Sequence, residues 1–569
     1  MLWEYKMELY SLEFVIFIGV LLIIYYGVEK FFKEDKYGQG YQWIILLIAN
    51  ICFYSLCGIT NLVYIFTTSV TTFAAGLGMS RRTTKYNLDK KSLKNNETQS
   101  KEARQQAKAS LKKKYMFDKR LILVITLLIN VGILAYLKYW TVIYDYFNNF
   151  AVRDLAESIE ENVTGSGNTI FSASSIAIPL GISFYTFQSI SYLIDMYNGK
   201  YSAETNFFKY LNFVSFFPQL IQGPINRYDQ LGNQLNGRHK LEANNIQRGL
   251  IRLFYGFFKK FAIADMVSPI IMAAFRNIDS KTPGCIIVFG VLLYSVEQYC
   301  DFSGGIDMVM GVSKMLGIDM MENFRQPYFS KSLGEFWRRW HISLGAWMRD
   351  YIFYPVALTK AMQSLSKKCK KIKNKKLATH LSRTLPACLA NLLVFFIVGL
   401  WHGAQMHFIL WGIYNGMVIA LSDLLSPIFT KITELLHINR ENKYYKIFTI
   451  IRTFIVVNIG WYFDVLVDAK NSLLCLKNTF IYFKPAKLFK KIAECAVYKQ
   501  NTCLLIAFIG CVVIFIVSLM KEKDIDVMDR LIKSPIIVRT LIYTAVILLM
   551  LVSFGLSSAA SGAFMYANY

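Results

Sequence analysis

The sequence is short of acid and lacks the common hydrolase and metal signatures. Asp and Glu together number 38 against 63 Lys and Arg, a formal net charge of +25. No GxSxG elbow and no HExxH pair occurs, which removes the signatures of a serine hydrolase and of a zinc peptidase. Ten cysteines are scattered with no CxxC pair and no Cys/His metal spacing; Cys52, Cys57, Cys503 and Cys511 sit in apolar runs and read as small core residues. There is no internal repeat and no low-complexity tract beyond the charged segments, so transporter architectures built from repeats gain no support. The amino terminus lacks the basic, apolar, small-residue pattern of a removable signal, and the first apolar run is expected to remain as a membrane helix.

What the chain has in abundance is apolar surface. Over 569 residues, 54% are hydrophobic and the mean hydropathy is +0.35, more than a soluble core of this size hides. Nearly uncharged runs long enough, with their flanks, to cross a bilayer occur at Leu12–Tyr26, Trp43–Gly78, Leu121–Ile143 and Ile286–Val296. Later ones lie near Leu389–Leu421, Ile447–Leu466, Leu504–Leu519 and Ile536–Leu556. Trp43–Gly78 is long enough for two short crossings with a break at Gly58. The expectation is an all-α polytopic membrane protein, one integral-membrane domain of about ten crossings with additional re-entrant or interfacial helices.

The excess positive charge sits between these runs, where the positive-inside rule explains it more simply than nucleic acid, which is not expected as a partner. Arg81–Arg120 and Lys360–Arg383 are read as basic cytosolic loops, and acidic Asp154–Glu161 as an external one. That gives an external amino terminus and a multi-pass protein of the cytoplasmic (inner) membrane, with membrane lipid as its surroundings.

Ionisable residues inside apolar surroundings are costly, and the middle of the chain concentrates them: Asp195, Asp301, Asp307, Asn323, Arg325, Arg338, Arg339, His341, Arg349 and Asp350, interleaved with aromatics. This pattern describes a lined cavity. Gly334–Tyr354 scans as one helix, started by a capping box at Ser332 and Glu335, with His341 at the edge of its apolar side. Arg349 and Asp350 read as structural ion pairs to neighbouring helices. Leu389–Ser422 contains no Lys, Arg, Asp or Glu and would make a helix of about 50 Å, too long for one upright crossing. The expected break is Gly399-Leu-Trp-His-Gly403, which leaves His402 between two glycines. Histidine titrates nearest neutrality and can take a proton from an attacking hydroxyl and return it to a leaving thiolate, the chemistry of acyl transfer. His341 or Asn323 would stabilise the oxyanion. His407 lies one turn on from His402, while His239, His380 and His437 read as solvated.

These segments resemble the membrane-bound O-acyltransferase family, in its bacterial branch of alginate O-acetylation and D-alanyl transfer proteins. The resemblance runs through Ile178–Gly199, Phe217–Tyr228, Asp-Phe-Ser-Gly from Asp301, Glu-Asn-Phe-Arg-Gln-Pro-Tyr from Glu322, Trp-Arg-Arg-Trp-His-Ile-Ser from Trp337, and Leu400–Ala404. It implies that His402 is the catalytic histidine and His341 a second functional one, on a central tunnel open to each membrane face. It also implies a cytosolic thioester donor, acetyl-CoA or an aminoacyl carrier protein, with no tightly bound cofactor and no metal. The acceptor would be an extracytoplasmic hydroxyl on a cell-surface polysaccharide or on a secreted or membrane-tethered partner that relays the acyl group. After Pro355, Val356-Ala-Leu-Thr-Lys replaces the Gly-Gly-Asn loop of alginate-type members, which counts against alginate itself. Trp337, Trp340 and Trp401 are expected to shape the tunnel. Rival readings are D-alanyl transfer toward teichoic acid, a transporter or flippase using the cavity for passage, and an inert scaffold.

Overall fold

The computed structural model describes residues 9–32, 40–95, 100–159, 179–466 and 468–557, without the side chains of 141–159. Among these residues no strand forms; one isolated antiparallel bridge joins Phe324 and Trp340. Two compact units are present, one of Ile23–Ile221 and Asn226–His239, the other mainly of Lys240 onward with Gln222–Ile225 and the start of the first helix.

The first apolar segments are α1 (Leu12–Phe31), α2 (Gln42–Leu56), α3 (Asn61–Asn95) and α4 (Lys101–Ile159). The expected break at Gly58 is there: its φ of +127° suits glycine, and Asn61 caps the turn by donating to the Cys57 carbonyl at 3.0 Å. The basic stretch Arg81–Arg120 is largely helical, contrary to the loop expected. The end of α3 lies along the start of α4 through an Arg82–Asp118 ion pair at 3.0 Å and a Tyr86–Tyr115 stack at 4.4 Å. Lys and Arg are good helix formers, so a basic composition does not exclude a helix. The side chains of Asp154–Glu161 lie outside the described residues. In the same unit, α5 (Ile182–Tyr197) joins a buried amide chain in which Gln188 meets Gln219, and Gln219 accepts from Asn226 at 2.8 Å.

The second unit contains α6 (Ala243–Lys259), α7 (Gly284–Met315), α8 (Leu333–Arg339), α9 (Ile342–Met348), α10 (Lys360–Cys369), α11 (Lys375–His402), α12 (Met406–Leu424), α13 (Lys443–Val465), α14 (Gln500–Glu522) and α15 (Ile536–Ser557). Helices α6 and α7 touch backbone to backbone: a Cβ on Gly256 would stand 2.5 Å from the Gly304 carbonyl, and one on Gly249 2.7 Å from that of Gly311. Small residues permit such contact without lipid between the helices. The second basic stretch, like the first, is not a loop. It forms α10 and the start of α11, joined by Ser366 donating to the Ser382 carbonyl at 2.7 Å.

Among the described residues nine helices are long and apolar enough to cross a membrane (α1, α3, α4, α7 and α11–α15), with the shorter α2 beside them. The protein is a polytopic all-α membrane protein.

Candidate active site

The long uncharged run breaks where its glycines predict. α11 ends at His402, Gly403–Gln405 turn the chain, and α12 starts at Met406. Close approach is what the glycines provide, since Gly403 has ordinary extended backbone. A Cβ on Gly399 would stand 2.6 Å from the Phe408 carbonyl, so the two helices of this hairpin are in direct contact beside His402. The imidazole of His402 is half-buried in an aromatic setting: Trp401 and Trp411 present edges at 4.9 and 5.2 Å between ring centres, and Phe408 stacks at 5.8 Å. Trp411 Nε1 is buried with no hydrogen-bond partner among the described residues.

His341 reaches the same place from another direction. Gly334–Tyr354 is not one helix. α8 stops at Arg339, and His341 takes the left-handed conformation (φ 47°, ψ 52°) before α9 begins. Periodicity does not reveal this break, because both halves keep their apolar spacing. The start is as expected: Ser332 Oγ accepts from the Glu335 amide at 3.1 Å, although the Glu335 carboxylate accepts from Lys331 N instead of completing the capping box. Arg339 pairs with Glu335 and Glu522, and Arg349 with Asp350 beside it at 2.9 Å.

Asn323 holds the left-handed turn. Its Oδ1 accepts from Ser343 N at 3.0 Å and Ser343 Oγ at 2.9 Å, and lies 3.2 Å from His341 Nδ1; its carbonyl accepts from Ile342 N at 3.0 Å. A backbone amide only donates, so the atom facing Ser343 N is the amide oxygen. His341 Nδ1 must therefore carry a hydrogen, which leaves Nε2 as the acceptor nitrogen of the neutral ring. Burial pushes the His341 pKa down to about 3, so the ring is neutral at physiological pH. Phe302 meets it edge-on at 4.9 Å and Trp401 stands 6.2 Å away, so the Trp401 indole neighbours both His341 and His402. Phe302 sits well inside α7, about 27 Å from its start and about 20 Å from its end at 1.5 Å per residue.

Trp337 donates to Asn415 Oδ1 at 3.0 Å and meets Trp411 at 5.2 Å, which ties α8 to the hairpin. Trp340 is 1% exposed, ringed by Phe324, Phe336 and Trp461. His407 donates Nδ1–H to the Phe463 carbonyl at 2.8 Å, a fixed structural contact. His380 is half-buried and hydrogen-bonded to the Leu424 carbonyl.

Most of the ionisable residues that stood out in the sequence are paired. Asp301 accepts from Lys260 at 2.6 Å, and Asp307 accepts from Lys259 at 2.6 Å and from Arg252 at 2.9 Å. Sequence reading missed Arg252, Lys259, Ser343 and Asn415. Lys259-Lys260 within the apolar stretch after Leu250 was the available signal for the first group.

With this geometry in place, similarity to known proteins can be set against it. Residues 202–369 match the membrane-bound O-acyltransferase family, MBOAT. Over that segment the chain is similar to members of this family. The matched segment holds Asn323, Trp337, Trp340 and His341 and ends before His402. The chain is 35% identical over 340 residues to a probable alginate O-acetylase of Pseudomonas syringae pv. tomato, covering 60% of this chain and 56% of that protein. It is 30% identical over 388 residues to a peptidoglycan O-acetyltransferase of Helicobacter pylori, covering 63% and 64%, and 29% identical over 289 residues to a teichoic acid D-alanyltransferase of Bacillus subtilis, covering 50% and 67%. It thus spans little more than half the length of the first of these relatives.

Proposed function

We propose that the protein is an O-acyltransferase of the cytoplasmic membrane that moves an acetyl group from a cytosolic thioester to an extracytoplasmic hydroxyl on a cell-surface polysaccharide or a relay protein. The observation that carries this reading is the meeting of two histidines from separate segments around Trp401. His402, at the tip of a helical hairpin, takes the proton of the acceptor hydroxyl as its oxygen attacks the thioester carbonyl. The tetrahedral oxyanion is held by the Asn323 side-chain amide, whose Nδ2 is a buried donor with no partner among the described residues, while the neutral His341 ring orients that amide through its Nδ1–H. The C–S bond then breaks, and the imidazolium returns its proton to the departing thiolate. Trp401 and Trp337 border the apolar path of the acyl group. No bound cofactor enters the scheme.

Acetyl is favoured by the O-acetylating relatives, which match more closely than the D-alanyl one. The donor is acetyl-CoA or an acyl carrier protein, both anionic, and α10 with the start of α11 supplies a basic surface to meet it.

The test is mild alkaline release and mass spectrometry of ester-linked acids from envelopes of cells lacking the protein, complemented with wild type or His402→Ala. Acetate restored by wild type alone supports the reading. D-alanine in its place reassigns the donor. Equal restoration by His402→Ala removes the mechanism and favours passage or scaffolding.

A further inference from the structure

The segment that carries Asn323 is irregular chain, yet it must hold one amide oxygen against a histidine ring. Its anchoring on the Phe324 side is aromatic: Phe324 packs edge-on against Phe302 and Trp340, each at 5.0 Å. Beyond it, Arg325 N donates to the Arg339 carbonyl at 2.9 Å. On the other side of Asn323 the anchor is ionic. Glu322 accepts from Arg252 through both oxygens, Nη1 to Oε1 and Nη2 to Oε2 at 2.7 Å each. The third donor of the same guanidinium, Nε, binds Asp307 at 2.9 Å. The second oxygen of Asp307 takes Lys259 Nζ at 2.6 Å, and Lys259 also donates to Ser303 at 3.0 Å. Arg252 and Lys259 are on α6, and Ser303 and Asp307 on α7, the two helices in backbone contact through their glycines. Ser303 directly follows Phe302, whose ring touches His341. One rigid helix pair therefore holds the Asn323 segment at Glu322 and packs against His341 at Phe302.

We propose that the Arg252–Glu322 pair, braced by Asp307 and Lys259, is a positioning device that sets the tautomer and orientation of His341 through Asn323. The proposal rests on the acyl-transfer reading above. Glu322 is 60% exposed, and an ion pair with so accessible a partner contributes little to folding. Its two-point geometry nevertheless fixes where the residue before Asn323 sits, which a single-point contact would not. Lys at position 252 keeps the charge but not the three-way fork to two carboxylates. The device thus affects the reaction more than stability, the reverse of what a purely structural pair would do.

The experiment compares wild type, Glu322→Gln and Arg252→Lys, with His402→Ala as reference, both in complemented cells and as purified protein in lipid nanodiscs. Transfer is followed by ester-linked acetate in complemented cells, thermal midpoint in nanodiscs, and histidine tautomers by 15N NMR. The chain has six histidines, and the His341 signals are assigned by their loss in His341→Asn. Expected is a fall in acetate formation of about 10–100-fold, the size seen when the group that orients a metal-binding histidine is lost. The thermal midpoint of Glu322→Gln should stay near wild type, and in both variants the His341 signals should move from a single Nδ1–H tautomer to a mixture. An unchanged Nδ1–H tautomer, or a change in acetate of less than about twofold, overturns the positioning role. So does a parallel drop in midpoint and activity with the tautomer intact. If instead His402→Ala retains wild-type transfer, the acyl-transfer reading falls, and the tautomer measurement still decides whether Glu322 and Arg252 govern His341.

Discussion

At the scale of single residues, the two histidines differ in surroundings and so in what they can do. His341 is buried and kept neutral by desolvation, with its pKa lowered to about 3. His402 is half-buried beside three aromatic rings. A ring that does not take a proton until about pH 3 cannot produce a rate change between about pH 5 and 8, where a base acting near neutrality titrates. Replacing His341 with Asn, which tolerates the left-handed backbone better than most residues, should lower the plateau of the pH–rate profile and leave its acid limb in place. Disappearance of that limb would assign the titration to His341. Linkage gives a second consequence. The folded pKa lies below the unfolded value of about 6.5, so the unfolded chain binds the extra proton first. Stability contributed at neutral pH is then lost as pH falls through 6.5 toward 3. His341→Asn should flatten that part of the midpoint–pH curve, which thermal melts in nanodiscs from pH 7 to 4 would measure.

At the scale of elements, the α11–α12 hairpin presents His402 because its helices touch without side chains between them. Ala at Gly399 would force its Cβ against the Phe408 carbonyl, at 2.6 Å in the present geometry. Overpacking of this kind costs about 1–3 kcal/mol, and here it also displaces the ring stacked on His402. Gly399→Ala should lower both the thermal midpoint and acetate formation, whereas Gly19→Ala, with nothing within 4 Å of the added carbon, should change neither; equal behaviour would show that the hairpin tolerates separation. This break was legible in sequence because an uncharged run too long for one crossing has to tilt or bend, and glycines flanked its histidine. The Ser332 start of α8 was legible for a similar reason, since a capping serine acts within one turn. The break at His341 was not legible: it depends on one residue's backbone angle, held by Asn323 from 18 positions away. The basic segments misled because charge reports solvation and not backbone shape. Lys259 and Arg252 escaped notice because the Asp307 carboxylate they share on α7 lies 48 and 55 residues further on.

At the scale of the molecule, charge is distributed unevenly enough to have kinetic consequences. From Tyr351 to Ser422 there is no Asp or Glu, while Lys360–Arg383 carries nine Lys or Arg residues. Lys375, Lys376 and Arg383 also line, with Thr379, His380 and Thr384, a cavity of about 500 Å³ at the start of α11. About 40 Å of helix separates that end from His402 at 1.5 Å per residue. This is longer than a pantetheine arm, so for the proposed thioester donor the basic surface would act on encounter and not on the chemical step. Encounter driven by long-range charge weakens with salt, because screening at 0.1 M already limits it to about 10 Å. Reversing Lys370, Lys371 and Lys373 to Glu should therefore slow transfer from an acidic carrier protein by about tenfold at low ionic strength, with the difference closing as salt rises. A stopped-flow comparison of carrier-bound and CoA-bound acetyl over a salt series would measure this. Because the cavity and the other cations remain, the loss should be smaller for CoA, whose few phosphates need less surface than a protein face. Salt-independent slowing of both donors would place the effect on the fold of α10. Unchanged rates at low salt would remove α10 and the start of α11 as the donor's landing surface.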